Sequence, residues 1–169
     1  MKRIIIIAIL LIFTITICKS QKQVVEGYKE NVGDIDFNYN IDNPDFKVGK
    51  GKILQYYNFS NGVMIKGENI YIDEYFKHKY DNSYVTKESG YITIRFIVNK
   101  EGEIGWFRIQ EMNMLYEPKK FDKSISNQIL ELTKHITGWK VGEKNGTKYD
   151  YYQYLTFKIE EGLINEIMP

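Results

Sequence analysis

Five apolar residues, Phe121, Ile125, Ile129, Leu132 and Ile136, recur at spacings of four, four, three and four. That is the period of one helical face, so the spacing predicts an amphipathic helix over 119–137. Pro118 suits its first turn and Gly138 its end. Such a helix needs an apolar partner, and period-two segments flank it on both sides. In 91–99, Ile92, Ile94, Phe96 and Val98 alternate with Thr93, Arg95 and Asn99. Asn99-Lys100-Glu101-Gly102 reads as a turn. In 103–111 the apolar parity slips from Ile104 to Phe107 and Ile109, with Gly105 at the slip, which predicts a β-bulge. After the helix, 149–159 reads as one long strand with Tyr151, Leu155, Phe157 and Ile159 on one face. Tyr152 and Tyr154 fall on the other, predicted solvent-facing, side. Glu161-Gly162 then turns the chain again. Residues 72–76 open a short helix, with Ile72, Tyr75 and Phe76 on one side. The order helix, strand, strand, helix, strand defines an α+β domain: a small, mainly antiparallel sheet with a helix on one face.

Residues 21–68 have a different texture, broken by six glycines between short strand-like runs. Over 34–42, Ile35, Phe37, Tyr39 and Ile41 alternate with Asp and Asn, predicting a half-buried strand. The runs 53–59 and 63–65 flank Ser60-Asn61-Gly62, predicting a hairpin. The chain thus divides into a leader (1–20), a β-rich N-terminal extension (21–68) and an α+β domain (69–169).

The leader carries Lys2 and Arg3, then an apolar run over 4–17. That run is too short to span a bilayer, which needs about 20 residues, and it fits the core of a secretory signal. Cleavage before Gln21 would leave small residues at the two positions that specify it, Cys18 and Ser20. Two alternatives stand beside this one. Cys18 is a lipidation candidate, although bulky Ile17 precedes it, or the leader is retained as an anchor. Membrane attachment enters only through these alternatives. The expected location is the periplasm or cell envelope.

Composition excludes several functions. With 23 Lys+Arg against 22 Asp+Glu, the chain has no basic field for nucleic acid. Loss of the leader removes Lys2, Arg3 and Lys19, leaving 20 bases against 22 acids, a net charge of −2. It also removes Cys18, the single cysteine, so no disulfide framework or thiol nucleophile is expected. A calcium loop starting at Asp34 would need Gly and Glu where Tyr39 and Asp45 stand. His78 and His135 read as surface or capping residues, no serine occupies a nucleophile elbow, and the glycines form no phosphate loop. No catalytic, cofactor or metal residues are expected, and the chain reads as a non-enzyme. The 14 tyrosines, set against Ala8 as the single alanine, reflect a compositional habit. One cluster, Tyr149, Tyr151, Tyr152 and Tyr154, is concentrated on the last long strand.

Residues 90–102, a glycine followed by an alternating strand ending in Phe96-Ile97-Val98 and an acidic-glycine turn, resemble the opening of a TonB C-terminal domain. The bulged second strand, the helix, Trp139-Lys140-Val141-Gly142 and the strand ending Phe157-Lys158-Ile159 follow in that family's order. The resemblance implies a periplasmic α+β domain whose last strand pairs with a short peptide of an outer-membrane receptor or another envelope protein. Carried over, 149–159 is the candidate pairing edge, with Tyr149, Tyr152, Tyr154 and Lys158 as its candidate contact residues. The departures are specific. The leader holds no histidine, Pro44, Pro118 and Pro169 are the only prolines, and Val141 stands where the family has proline. The chain therefore lacks the proton-coupled anchor and Pro-rich spacer with which a transducer pulls. The expected function is a protein- or peptide-binding module linked to outer-membrane transport. The alternative is a structural, self-associating envelope protein that forms a homodimer.

Overall fold

The computed structural model describes residues 33–59, 62–83 and 85–169. The leader with Cys18, and the Ser60-Asn61 half of the expected hairpin turn, lie outside the described residues. The fold is α+β and mainly antiparallel. In chain order it runs β1 (Leu54–Gln55), a 3-10 turn (Tyr56–Phe59), α1 (Glu68–Lys79), β2 (Gly90–Val98) and β3 (Ile104–Met112). Then come α2 (Lys123–His135), β4 (Gly142–Lys144), β5 (Thr147–Tyr149), β6 (Tyr151–Glu160) and β7 (Leu163–Met168). The main sheet has the order β1-β6-β2-β3, with β7 also paired to β6.

The helical stripe forms as its spacing demands. Ile125 and Ile129 of α2 are buried against the sheet, as are Phe121 and Ile136 just beyond its ends. The helix starts later than Pro118 suggests, because Asp122 is the N-cap: its side chain accepts the Ser124 N–H at 2.8 Å. Ser124, through its side chain first and its N–H second, also holds the Asp122 carboxyl below its usual range. Pro118 instead extends alongside the end of β3, bridged to Met112. The bulge lies where the parity slips. Arg95 pairs with Arg108 but Ile97 with Gly105, so Trp106 and Phe107 together face Phe96. The left-handed residue there is Trp106 (φ 53°), not Gly105. Gly105 is required for space: a Cβ built on it would lie 2.5 Å from the Phe46 ring.

Two expectations in the extension fail. Residues 34–42 form no strand. Asp42 instead closes a turn by accepting the Asn38 N–H at 2.8 Å. Ile35 is buried, whereas Tyr39 and Ile41, on the same expected face, are 88% and 62% exposed. Nor do 53–59 and 63–65 form a hairpin. Leu54 and Gln55 pair in parallel with Tyr151 and Tyr152, while Ile65 bridges Trp139.

The sheet is covered on one face and over part of the other. The main core holds Ile92, Ile94, Phe96 and Val98 of β2 and Leu155, Phe157 and Ile159 of β6, under α1, α2 and Phe59, Val63, Met64 and Ile65. A smaller cluster on the other face joins Ile35 to Ile97 and Tyr152, with Phe46, Val48, Ile53 and Trp106 around them. The arm over 33–53 is fastened there by Arg108. Its guanidinium grips both Asp42 oxygens, at 2.8 and 2.7 Å, and the Asp36 carbonyl at 2.6 Å. Burial raises the Asp42 carboxyl pKa. The Arg108 hydrogen bonds, the Asn38 N–H and the Arg108 charge outweigh it and hold the group below its ordinary value.

Asp42→Ala leaves Arg108 enclosed without its carboxylate and is expected to lower unfolding stability by about 3 kcal/mol in denaturant titrations. A depressed carboxyl pKa stabilises the fold above the unfolded value near 4 and loses that contribution as pH falls through the folded value. The wild type should therefore weaken below about pH 4, and the variant should lack that part of the dependence. Gly105→Ala should cost about 1–3 kcal/mol by overpacking, with a change in near-ultraviolet circular dichroism as Phe46 and Trp106 shift.

Candidate functional site

Strand β6, the expected pairing edge, is an inner strand. One side is bonded to β2 along its whole length, from Tyr151↔Val98 to Ile159↔Gly90. The other side is shared by β1 at Tyr151–Tyr152 and by β7 at Thr156–Glu160. Its four candidate residues separate. Tyr149 belongs to β5, in the β4–β5 hairpin, and packs against the main core. Tyr152 is buried, correcting the expected solvent face. The arm covers it, its hydroxyl accepts the Ile35 N–H and donates to Asp34 Oδ1, both at 3.2 Å, and the Arg95 guanidinium lies 4.2 Å from its ring. Tyr154 and Lys158 do come together, on the part of the sheet face that the arm leaves open.

That open part is a cleft of about 530 Å³. Strand register sets its floor in three rows. Met112, Tyr91, Lys158 and Glu166 form the first; Gln110, Thr93, Thr156 and Met168 the second; Arg95 and Tyr154 the third. Tyr116 stacks on Tyr91 at 5.1 Å and makes one wall. The Thr93 and Thr156 hydroxyls bond across the strands at 3.0 Å. Lys158 is held by Glu160 at 2.6 Å, which raises its ammonium pKa. Tyr154 meets Tyr56 edge to face at 5.2 Å, their hydroxyls 3.5 Å apart.

The open edge of the sheet lies one strand over, on β7. Among the described residues β7 pairs with β6 alone. Its far side faces a groove of about 620 Å³ against α1, walled by Asn69, Asp73, Phe76 and Lys77. Five consecutive residues, Leu163, Ile164, Asn165, Glu166 and Ile167, line that groove. Side chains of a strand alternate between faces, so a lining by consecutive residues means that the backbone edge itself is presented. The turn into β7 explains its position: Glu161 (φ 52°) and Gly162 (φ 82°) fold it back tightly onto β6.

Among the described residues no group of three or more His, Cys, Asp or Glu could hold a metal ion, and no helix is long and apolar enough to cross a membrane. His78 is exposed on α1, and His135 sits on the last turn of α2 with Nδ1 2.7 Å from the Glu131 carbonyl. No family model, curated protein or solved structure matches this chain.

Sequence reasoning missed Tyr91, Arg95, Gln110 and Tyr116 as companions of Tyr154 and Lys158. The parity of Tyr91, Thr93 and Arg95 was visible, but the register joining them to β6 was not. Burial first, and then Tyr154, push the Tyr56 hydroxyl up to about 12. A tyrosine raised in this way stabilises the fold below its unfolded value near 10 and loses that contribution as pH rises towards 12. Stability should fall over that range as phenolate absorbance rises, and Tyr56→Phe should remove one late-ionising step of the absorbance change, leaving the still higher step of the more deeply buried Tyr151 in place.

Proposed function

We propose that this chain is an exported, non-enzymatic binding module of the cell envelope. It takes an extended segment of an envelope protein as an added strand on the outer edge of β7. The observation that carries the reading is the groove beside β7, lined by five consecutive residues of a strand that pairs on one side alone, so that every second residue turns its backbone N–H and C=O outward. Such an edge recruits a strand through main-chain hydrogen bonds, with side-chain pockets supplying selectivity. Phe76 at the groove base offers an apolar pocket, and Asp73 and Lys77 offer one charge of each sign. The signal-like leader over 1–20 supports export. The resemblance of 69–169 to TonB C-terminal domains supports an outer-membrane partner, with the pairing edge on β7 instead of 149–159.

Capture from envelope extracts, followed by hydrogen exchange on the complex with the captured segment, tests this. Exchange at Leu163–Met168 should slow by about tenfold or more, as expected for amides drawn into a new ladder. A segment that binds while β7 exchange stays unchanged overturns strand addition, and failure to enrich any envelope protein overturns the binding role. If the edge pairs instead with a second copy, sedimentation will show a concentration-dependent dimer.

A further inference from the structure

We infer that the cleft on the open sheet face is a second binding site, which takes a carboxylate-bearing ligand with an apolar body, its carboxylate on Arg95. Arg95 is 2% exposed and lies at the inner end of the cleft. Its Nη2 donates to the Gly33 carbonyl at 2.7 Å, while Nη1 has no hydrogen-bond partner among the described residues. A buried guanidinium N–H without an acceptor is costly, and more so because the group stays charged. Gln110, also buried and lining the cleft, leaves Oε1 without a partner. Two unmet polar groups in one cavity describe a ligand that brings an anionic oxygen for one and a hydrogen-bonding group for the other. The Gln110 amide can meet either a donor or an acceptor by turning over.

Charge selects a monoanion. Lys158 is already held by Glu160 at 2.6 Å and faces Glu166 across the β6–β7 ladder. Arg108, the cross-strand neighbour of Arg95, is committed to Asp42. Asp34 acts on Arg95 through space, but its Oδ1 accepts from Tyr152, and no ion pair joins the two. One uncompensated guanidinium suits a carboxylate, whose two oxygens match its planar fork, better than a phosphate dianion. Apart from Lys158 and Glu166, the rest of the cleft is apolar or weakly polar, with Met112, Met168 and the Tyr91–Tyr116 stack as walls. These surfaces would hold an aliphatic or aromatic body, and the volume suits a small organic ligand. The chemistry is shared by two sources, a free small acid and the C-terminus of a protein. The site does not depend on strand addition, because the cleft and the groove beside β7 share Glu166 alone among their lining residues, and Arg95 and Gln110 line the cleft only.

The test is an amide NMR titration of the whole protein with N-acetyl-L-phenylalanine and, in parallel, with its amide. The acid should shift Thr93, Arg95, Gln110 and Thr156 and bind at least about tenfold more tightly than the amide, a difference of about 1.4 kcal/mol. A peptide ending in phenylalanine, with free or amidated C-terminus, forms the other arm; whichever acid binds more tightly identifies the source. Arg95→Gln should bring the acid down to the level of the amide, and Lys158→Gln should leave the ratio unchanged. Because Arg95→Gln removes a buried group and risks misfolding, the acid–amide comparison on the wild type stands by itself. Equal binding of acid and amide, no saturable shift at about 10 mM acid, which would put the affinity weaker than about −3 kcal/mol, or shifts confined to α1 and the β7 edge would each overturn the assignment. A ratio that collapses in Lys158→Gln would overturn Arg95 as the anion's partner.

Discussion

The antiparallel ladder between β2 and β6 is the element on which the rest of the molecule depends. Its nine residue pairs run from Gly90↔Ile159 to Val98↔Tyr151. At the Val98 end the two strands carry apolar side chains on both faces: Phe96, Val98, Tyr151 and Leu155 towards the helices, Ile97 and Tyr152 away from them. An antiparallel sheet can leave one face to water, but this end cannot. The helices cover one side, and the arm from the extension covers the other. Asp150, buried just before β6, ties the covering to the ladder: its carboxylate accepts the Gly49 N–H of the arm and the Lys100 N–H of the β2–β3 turn. The extension is thus part of the packing of the sheet, not an ornament on it.

The groove beside β7 and the cleft on the sheet face follow from where that covering stops. The arm closes over Tyr152 and Trp106 and leaves the other end of the face open, where the outward side chains become Thr93, Thr156, Tyr154 and Lys158. Arg95 sits at the boundary. Its ring partner Tyr152 and its acceptor Gly33 belong to the covered side, while the cleft lies on the other. A cation at such a boundary is shielded from solvent. On the edge, the tight Glu161-Gly162 turn carries β7 back along β6, so the strand expected to be last and open becomes internal.

Much of the fold was legible in the sequence. The period of α2, the alternation of β2, the Asn99–Gly102 turn and the bulge in β3 all come from short-range chemistry, and each appears where its signal lies. The failures have a common cause. Alternation over 34–42 looks like a strand, but an alternating pattern says nothing about whether a partner edge is free. Here the bonding groups of that segment go to an Asx-type turn at Asn38 and to Arg108. The parity rule placed Tyr152 in solvent because it assumes a sheet with one dry face. Tyr154 and Lys158 were found as members of a strand; their partners Tyr91, Arg95 and Gln110 lie more than 40 positions away in sequence and become neighbours only through register.

What the sequence determined by itself was the set of elements: which stretches are helix, which are strand, and where the chain must turn, because these depend on residues within one or two turns of each other. The tertiary structure alone decided which strand is an edge, which face is dry and which charge is left without a partner. These are properties of pairs of distant segments. A β-strand has two edges and two faces, its residues specify only the alternation between faces, and the neighbours that occupy each of the four sides are chosen by the fold as a whole.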